Sequence, residues 1–519
     1  MSPRDQIATA PPIVGATARG AETDFRVWAP DARSVAVRFG DAAHSLSPAV
    51  GGMWQATLRA GAGQDYEFVL DEGEPLPDPC SRFQPRGLRG PSQVVGLQRA
   101  GTPLGLKLDE LVIYELHVGT FSQPGTFTGV IPRLGALREL GVTAIEVMPI
   151  STFAGNRGWG YDGVYVSAPH PAYGGPEGFR ALVDAAHAAG LGVILDVVYN
   201  HMGAGSDQVT AFGPYLTDHT KTFWGEAIDY SRRPVREWAI QNAEMWVRDY
   251  GVDGLRLDAV HAITDDSPTH VLAELAQRVK AIHPSTLLID EIEIGDLRPI
   301  RDWGHDAQWE DALHHAVHVL LTGERDGYYS SYGTMADLAR ELQRAEGSRF
   351  IVCDQNHDQV GNRALGDRLR GRDLRLAAFC SILSPGTPML FQGEEYDESH
   401  PFQYFTDHID PEIAELTRQG RRREFSEFSD FEAQDIPDPQ DPETFMRSKL
   451  DPAAGDPAHL TYYRDLLALR RELGAAPAEV TFDEPRRLLS VRRGPVELVA
   501  NFAQHDQDGV PARAGQVRR

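Results

Sequence analysis

Residues of the kinds that move protons or attack carbon recur in this sequence at the ends of apolar, β-branched runs. Asp196, Asn200 and His201 close one run, Arg256 and Asp258 a second, Glu291 a third, and Asn356, His357 and Asp358 a fourth. An acid at the end of an apolar strand is costly unless it is paired or used, and any one of them alone reads as a structural ion pair. Four such ends together point to a common site. Two carboxyl groups suffice to cut a glycosidic bond, one as nucleophile or base and one to protonate the leaving oxygen. A neighbouring cation or third acid then sets their pKa values apart. Arg256 lies two residues before Asp258, so the period of a strand puts both on one face. The guanidinium is expected to keep Asp258 ionised, as a nucleophile must be. Glu291 and Glu293 share a face by the same rule, and like-charge crowding is expected to raise the pKa of one of them, as a general acid requires.

Such residues need a scaffold that gathers distant positions at one rim. From Leu111 onward, short apolar runs alternate with stretches of helical period. The runs are VIYELHV (112–118), TAIEVMP (143–149), VILDVVY (193–199), DGLRLDAV (253–260), LLIDEIE (287–293), DAQW (306–309), FIVCDQN (350–356) and PMLFQG (388–393). Helices are predicted over 133–140, 177–189, 234–250 and 269–282, opening near Pro, Ser, Thr or Asp and mostly ending before Gly, as capping requires. Apolar strands regularly crossed by helices imply a parallel sheet covered on both faces. Eight of them imply an α/β fold of the (β/α)8 TIM barrel type, whose functional groups stand at the C-terminal strand ends.

Ahead of the barrel, 25–28, 35–38, 54–58 and 66–70 alternate as strands of a small N-terminal β-sandwich, and the Pro- and Gly-rich stretch 75–91 marks its end. The predicted division is 1–100 for the sandwich, 101–474 for the barrel with a closing helix over 458–473, and 475–519 for a short C-terminal β region with strands at LLSVRR and ELVANFA. Segments 201–232 and 394–450 show little regular pattern and read as long functional loops.

Composition narrows the class. A chain of 519 residues is too long for one hydrophobic core. Its net charge of −25 is spread along the sequence, which makes nucleic acid and membrane surfaces poor partners. No run of about 18 apolar residues occurs, and the N-terminus lacks the charged-then-apolar plan of a secretory signal, so a cytoplasmic enzyme is expected. Cys80, Cys353 and Cys380 are far apart and without CxxC spacing, as reduced thiols would be. Trp54, Trp238 and Trp246 read as core residues. His314, His315 and His318 cluster on a helical stretch without a partner from another strand, which favours packing over metal binding.

Four segments carry a resemblance. DVVYNH (196–201), GLRLDAVH (254–261), LLIDE (287–291) and QNHD (355–358) resemble the four short regions shared by α-amylase-type glycoside hydrolases, spanning the whole barrel. The resemblance implies Asp258 as nucleophile, Glu291 as acid/base, and Asp358 as the acid that grips the distorted sugar at the cleavage point. It implies that Arg256, His201 and His357 position that sugar and that Tyr161, in WGYDGV (159–164), stacks beneath it. Asp196 and Asn356, at the same strand ends, are grouped with the substrate-binding residues. DEIEIGD (290–296) departs from the family's small, polar run after the Glu; the LLI run before Glu291 and its spacing from Asp258 favour it over Glu293. The position of Asn200 holds a calcium ligand in many amylases, but no companion ligand is evident, so no metal and no cofactor are assigned.

A narrower resemblance lies mostly outside these regions. DPCSRFQPRGLRGPSQV (78–94), ELHVGTF (115–121), DAQWEDALHHAVH (306–318), NHDQVGNRALGDRL (356–369), YFTDH (404–408) and PDPQDPETFMRSKL (437–450) are similar to the maltooligosyltrehalose trehalohydrolase family. In that family an N-terminal sandwich precedes the barrel. The resemblance implies retaining cleavage of the α-1,4 bond next to the terminal trehalose of maltooligosyl trehalose, releasing trehalose, with maltooligosyltrehalose synthase as functional partner. A glucan branching enzyme would carry the same triad and a similar sandwich; the NHDQVGN run and the DAQW segment argue against it. A non-catalytic glucan-binding protein would show lost acids, and all three are present. The tail is short for the family's C-terminal β-domain.

Overall fold

The computed structural model describes residues 12–97, 100–222, 225–344, 346–424 and 436–519. The first eleven residues, on which most of the leader reading rests, lie outside the described part. Eight parallel strands close into a barrel in chain order. They are β1 Ile113–Leu116, β2 Ala144–Val147, β3 Gly192–Val197, β4 Gly254–Leu257, β5 Leu287–Asp290, β6 Ala307–Trp309, β7 Phe350–Val352 and β8 Thr387–Phe391, and β8 pairs back onto β1. Every predicted run forms a strand. Most are shorter than the run that announced them, because the rim residues turn off into loops.

The barrel interior has two parts. Ile113, Ala144, Ile194, Leu287, Ile289, Ala307, Ile351 and Met389 form an apolar cluster along the axis. A strand side chain returns to the same face every second residue, so the next inward positions are Glu115 on β1, Glu146 on β2, Asp196 on β3 and Arg256 on β4. All four are buried. The packing thus passes from hydrocarbon at the base to charge at the C-terminal end, where the rim acids stand.

Helices Gly175–Ala188, Arg233–Met245, Val271–Ile282 and Pro457–Leu473 cover the outside. Arg233–Met245 has Pro234 in its first turn and runs on through a wider turn, Trp246–Tyr250, to Gly251 at φ 78°, a left-handed ending that glycine adopts without a Cβ penalty. Trp238 and Trp246 are buried as expected. Trp54 is only half-buried, with its indole N–H donating to the Ala29 carbonyl at 3.1 Å.

Two antiparallel sheets precede the barrel, one through Gly15–Arg19, Glu22–Trp28, Met53–Leu58 and Ser47–Ala49, the other through Ala42–Ser45, Val35–Phe39 and Asp65–Leu70. Phe25 of the first meets Tyr66 of the second with ring centroids 5.0 Å apart. The stretch 75–91 does not end this unit as predicted. Pro75–Leu76 and Ser92–Gln93 both pair with Asp65–Leu70, and the turns between them are held by buried Asp78. Its carboxylate accepts from the Tyr66 hydroxyl at 2.7 Å and the Cys80 N–H at 2.8 Å, while its N–H donates to Ser92 Oγ at 3.0 Å. Side-chain bonds replace most of the backbone ladder there, so the local composition reads as a linker.

The two long loop segments also hold more structure than their pattern suggested. Leu216–Thr222 and Gly225–Ile228 form a hairpin, and helices Pro411–Glu424 and Pro442–Arg447 lie in 394–450. Pro411–Glu424 buries only Ala414 and Arg421, so it has no apolar stripe to betray its period. In the C-terminal sheet the predicted strands are Leu488–Arg493 and Val496–Asn501, flanked by Glu479–Asp483 and Ala514–Arg518. Neither of those edge strands buries a residue: Glu479–Asp483 is mostly exposed and Ala514–Arg518 mostly half-buried. Among the described residues no helix is long and apolar enough to cross a membrane.

Candidate active site

The C-terminal rim encloses a cavity of about 890 Å³ lined by Asp258, Glu291, Asp358, Tyr161, His201 and His357 among others. Asp196, Arg256 and Asn356 stand behind this wall, almost wholly buried. The predicted residues therefore divide into a group that lines the cavity and a group buried behind it.

Arg256 is the hub of the second group. Its Nη1 donates to Asp196 Oδ2 at 2.5 Å and to Asp258 Oδ1 at 3.0 Å, and its Nη2 donates to Glu291 Oε2 at 2.6 Å. The guanidinium lies over the Trp309 ring, 4.0 Å from its centroid, a cation–π contact that fixes its plane. Strand register explains the convergence: Asp196 on β3 pairs with Arg256 on β4, and Leu257 pairs with Asp290 on β5. Adjacent strands thus present Asp258 and Glu291 one step above Arg256. Asp258 receives a second donor, Asn200 Nδ2, at 2.7 Å to Oδ2, and the same amide reaches the Asp258 carbonyl at 2.8 Å. Asn200, read from the sequence as one of the rim residues at the end of the β3 run but given no role toward the substrate, here donates to Asp258.

Glu291 is 24% exposed at the cavity floor. Burial raises its pKa above the usual carboxylate range; Arg256 pulls it back and the charge of Asp258 adds to the rise. The Ala259 N–H donates to Glu291 Oε2 at 3.0 Å. Ala259 itself takes φ 39°, the left-handed region, at a cost of about 1–3 kcal/mol of the kind often stored at functional sites. The expected crowding of Glu291 by Glu293 does not occur. β5 ends at Asp290, the strand alternation lapses, and Glu293 is exposed outside the cavity wall. The like charge beside Glu291 is Asp258. Asp311, just past β6, is a further acid close enough to feel the charges of Glu291 and Asp358, and the sequence reading did not single it out. Burial, with the charges of Glu291 and Asp358, pushes it up to about 7.

β7 stops at Val352, so Asp358 is carried not by a strand end but by the short helix His357–Gly361. Asn356 starts that helix, its Oδ1 accepting from the Gln359 N–H at 2.7 Å, and so acts on the site from beneath. His357 is clamped by Glu115, also absent from the predicted set: Nδ1 donates to Glu115 Oε1 at 2.5 Å, and the His357 N–H to Oε2 at 2.9 Å. Burial alone would lower the His357 pKa, but Asp358 and Glu115 outweigh it and raise it to about 10. At neutral pH it is an imidazolium facing Asp358, whose Oδ2 lies 3.5 Å from Nε2. An acid inside the otherwise apolar VIYELHV run was the sequence signal for Glu115.

Tyr161 stacks on the His357 ring at 5.0 Å and 24°, and its hydroxyl donates to Asp196 Oδ2 at 2.6 Å. Gly160 before it has φ 102° and no room for a Cβ, which would sit 2.1 Å from the Pro149 carbonyl oxygen. His201 Nε2 lies 2.8 Å from the Tyr161 carbonyl, and its Nδ1 contacts Asn200 Oδ1. The His314, His315 and His318 group is buried on helix Ala312–Thr322. Its partners are the Asp354 carbonyl, Tyr329 and Glu324. Among the described residues no group of three or more His, Cys, Asp or Glu is arranged to hold a metal ion.

Comparison with known proteins fits this geometry. The family profile of the alpha-amylase catalytic domain matches residues 117–226 and 215–457. A malto-oligosyltrehalose trehalohydrolase from Deinococcus radiodurans is 43% identical over 495 residues, covering 87% of this chain and 82% of its own. The enzyme of the same name from Saccharolobus solfataricus is 40% identical over 494 residues, covering 87% and 86%. A crystal structure of a Salmonella typhimurium protein described as an alpha amylase superposes with a TM-score of 0.89 at 35% identity, covering 97% of this chain and 99% of that one. On its barrel, its cavity and these relatives, the chain belongs to the malto-oligosyltrehalose trehalohydrolase family of alpha-amylase-type hydrolases.

Proposed function

We propose that the chain cleaves the α-1,4 glucosidic bond next to the terminal trehalose of maltooligosyl trehalose, releasing trehalose with retention at the cleaved carbon. The observation that carries the mechanism is that one buried guanidinium, that of Arg256, holds Asp258 and Glu291 on its two terminal nitrogens at the cavity floor. Asp258, charge-paired and hydrogen-bonded, attacks the anomeric carbon and forms a glycosyl ester, while Glu291 gives its proton to the glycosidic oxygen of the departing trehalose. Glu291 then takes a proton from water. The resulting hydroxide displaces Asp258 and leaves the shortened chain with an α-configured reducing end. Asp358 and the imidazolium of His357 hydrogen-bond sugar hydroxyls at the cleavage point, Tyr161 supports the ring from below, and His201 lines the same wall. Asp196, Asn200, Glu115 and Asn356 keep these groups in place. Maltooligosyltrehalose synthase fits as the enzyme that supplies the substrate, in the cytoplasm.

The specificity test is direct. Incubated with maltooligosyl trehalose, the protein releases trehalose as its main product, and it cuts plain maltooligosaccharides much more slowly. Chromatography of the released disaccharide checks this, and maltose or a branched glucan as the dominant product overturns it. A second expectation concerns metals, since hydrolysis by two carboxyl groups requires none and the Asn200 amide is engaged by Asp258. EDTA leaves the initial rate unchanged; a loss that calcium restores would reveal a site around Asn200.

A further inference from the structure

Asp358 stands on a helix of five residues, His357–Gly361, too short to hold its own shape by internal hydrogen bonds. At its start stand the Asn356 cap and the Glu115 clamp on His357. Its far end is held by Arg421, which comes from the long segment after β8, on helix Pro411–Glu424. Arg421 Nη2 donates to the Gly361 carbonyl at 2.7 Å and to the Arg363 carbonyl at 3.0 Å. Asn362 lies between those two carbonyls. Its Nδ2 donates to Asp358 Oδ1 at 2.9 Å, and its N–H donates to the Asp358 carbonyl at 2.9 Å. Trp159 closes on the same segment, since a Cβ on Gly361 would lie 2.2 Å from the indole ring. The peptide that presents Asn362 to Asp358 is thus gripped by a guanidinium and an indole.

Arg421 is 8% exposed, while helix Pro411–Glu424 otherwise buries only Ala414. The helix therefore docks through a guanidinium and not through an apolar stripe. A buried cation is costly unless its donors are filled, and here they are filled by groups of the site. Nη1 donates to Glu424 Oε2 at 3.0 Å, and the guanidinium lies 5.5 Å from the centroid of the Tyr404 ring. Glu424 and Tyr404 both line the cavity, whereas Arg421 stands behind its wall. Carbonyls at the end of a helical turn are natural acceptors for a cation. We propose that Arg421 is a positioning residue for the cleavage reaction: by fixing the peptide units on either side of Asn362, it sets the place at which Asp358 meets the sugar. This rests on the role of Asp358 in the proposed function.

The test compares Arg421→Met, Arg421→Lys and Arg418→Met with the unaltered protein on maltooligosyl trehalose. Arg418 lies on the same helix but pairs with Asp438 at 2.9 Å, so its loss loosens the helix without touching the Asn362 segment. An acid that grips the distorted sugar acts mainly in the transition state, and its displacement lowers kcat more than it raises KM. Arg421→Met is expected to lower kcat about tenfold, the worth of one charge-assisted hydrogen bond, and to speed amide exchange over 357–363. Arg421→Lys, which can still reach one carbonyl, recovers part of the loss, and Arg418→Met keeps its kcat. In an Asn362→Ala background Arg421→Met adds little, because the path it acts through is already cut. An unchanged kcat in Arg421→Met, equal losses in Arg418→Met, or a full further loss in Asn362→Ala overturns the positioning role. If Arg421→Met does not fold, Arg421→Lys alone and in the Asn362→Ala background decides by the same criteria. A protein that cuts maltopentaose without releasing trehalose from maltooligosyl trehalose overturns the proposed substrate, and the same ratios on maltopentaose then decide for Arg421.

Discussion

Glu291→Gln lowers kcat on maltooligosyl trehalose by about 10²–10⁴-fold, the usual contribution of a positioned general acid, while KM stays near its original value. The amide fills the same space and can still meet the Ala259 N–H and Arg256 through its oxygen, so binding survives and only proton delivery is lost. Glu293→Gln is the control. Its side chain is exposed outside the cavity wall, so the variant retains activity. The alkaline limb of the pH profile carries the same assignment. In the proposed mechanism Glu291 acts in its protonated form in the first step, so the rate is expected to fall as pH rises through its pKa, which burial has raised. Asp258 contributes to that rise. Neutralising Asp258 therefore moves the Glu291 pKa down, whereas Glu293→Gln leaves the limb where it was. A dead Glu293→Gln with an active Glu291→Gln would shift the catalytic register by two residues.

Asp258→Ala loses about 10⁴-fold or more, as removal of a covalent nucleophile does in enzymes whose residues act as a unit. Here the loss has a structural component too, because Arg256 and Asn200 are left with one acceptor fewer inside the protein. Chemical rescue separates the two. A small anion such as azide, entering the space of the missing carboxylate, attacks the anomeric carbon directly and yields the β-glycosyl azide, the inverted product. In Glu291→Ala, azide attacks the ester formed by Asp258 and yields the α-azide. With the unaltered protein, NMR of the first turnovers shows the α-anomer at the new reducing end. That result accompanies two carboxyl groups about 5–5.5 Å apart, too close for a water between them. A β-anomer as first product, or α-azide from Asp258→Ala, would remove Asp258 from the nucleophile's role.

Much of the architecture was legible from local pattern. The eight apolar runs with helices between them specify strands and their order, because burial on both faces demands uninterrupted hydrocarbon. The period of two also indicates which residues face the axis: Asp196, Arg256, Asp258 and Glu291 follow Ile194, Gly254 and Ile289 in the same inward phase. That reading fails where the strand ends. Glu293 keeps the phase of Glu291 on paper, but β5 stops at Asp290 and the chain turns away. Asp358 reaches the cavity from a helix that Asn356 starts, not from a strand.

What the sequence by itself determined is the eight barrel strands and the inward face of the acids that stand within or just past them, since both follow from the spacing of apolar residues along each strand. What only the tertiary structure decided is which of those acids share a partner. The three carboxylates on Arg256, the Glu115 clamp on His357 across 242 residues and the Asn200 bond to Asp258 across 58 join strands remote in sequence. Their geometry is set by barrel closure and inter-strand register. Periodicity along one strand carries no information about the register of the next, so charges that look alike in the chain acquire different pKa values and different roles only when the barrel closes around them.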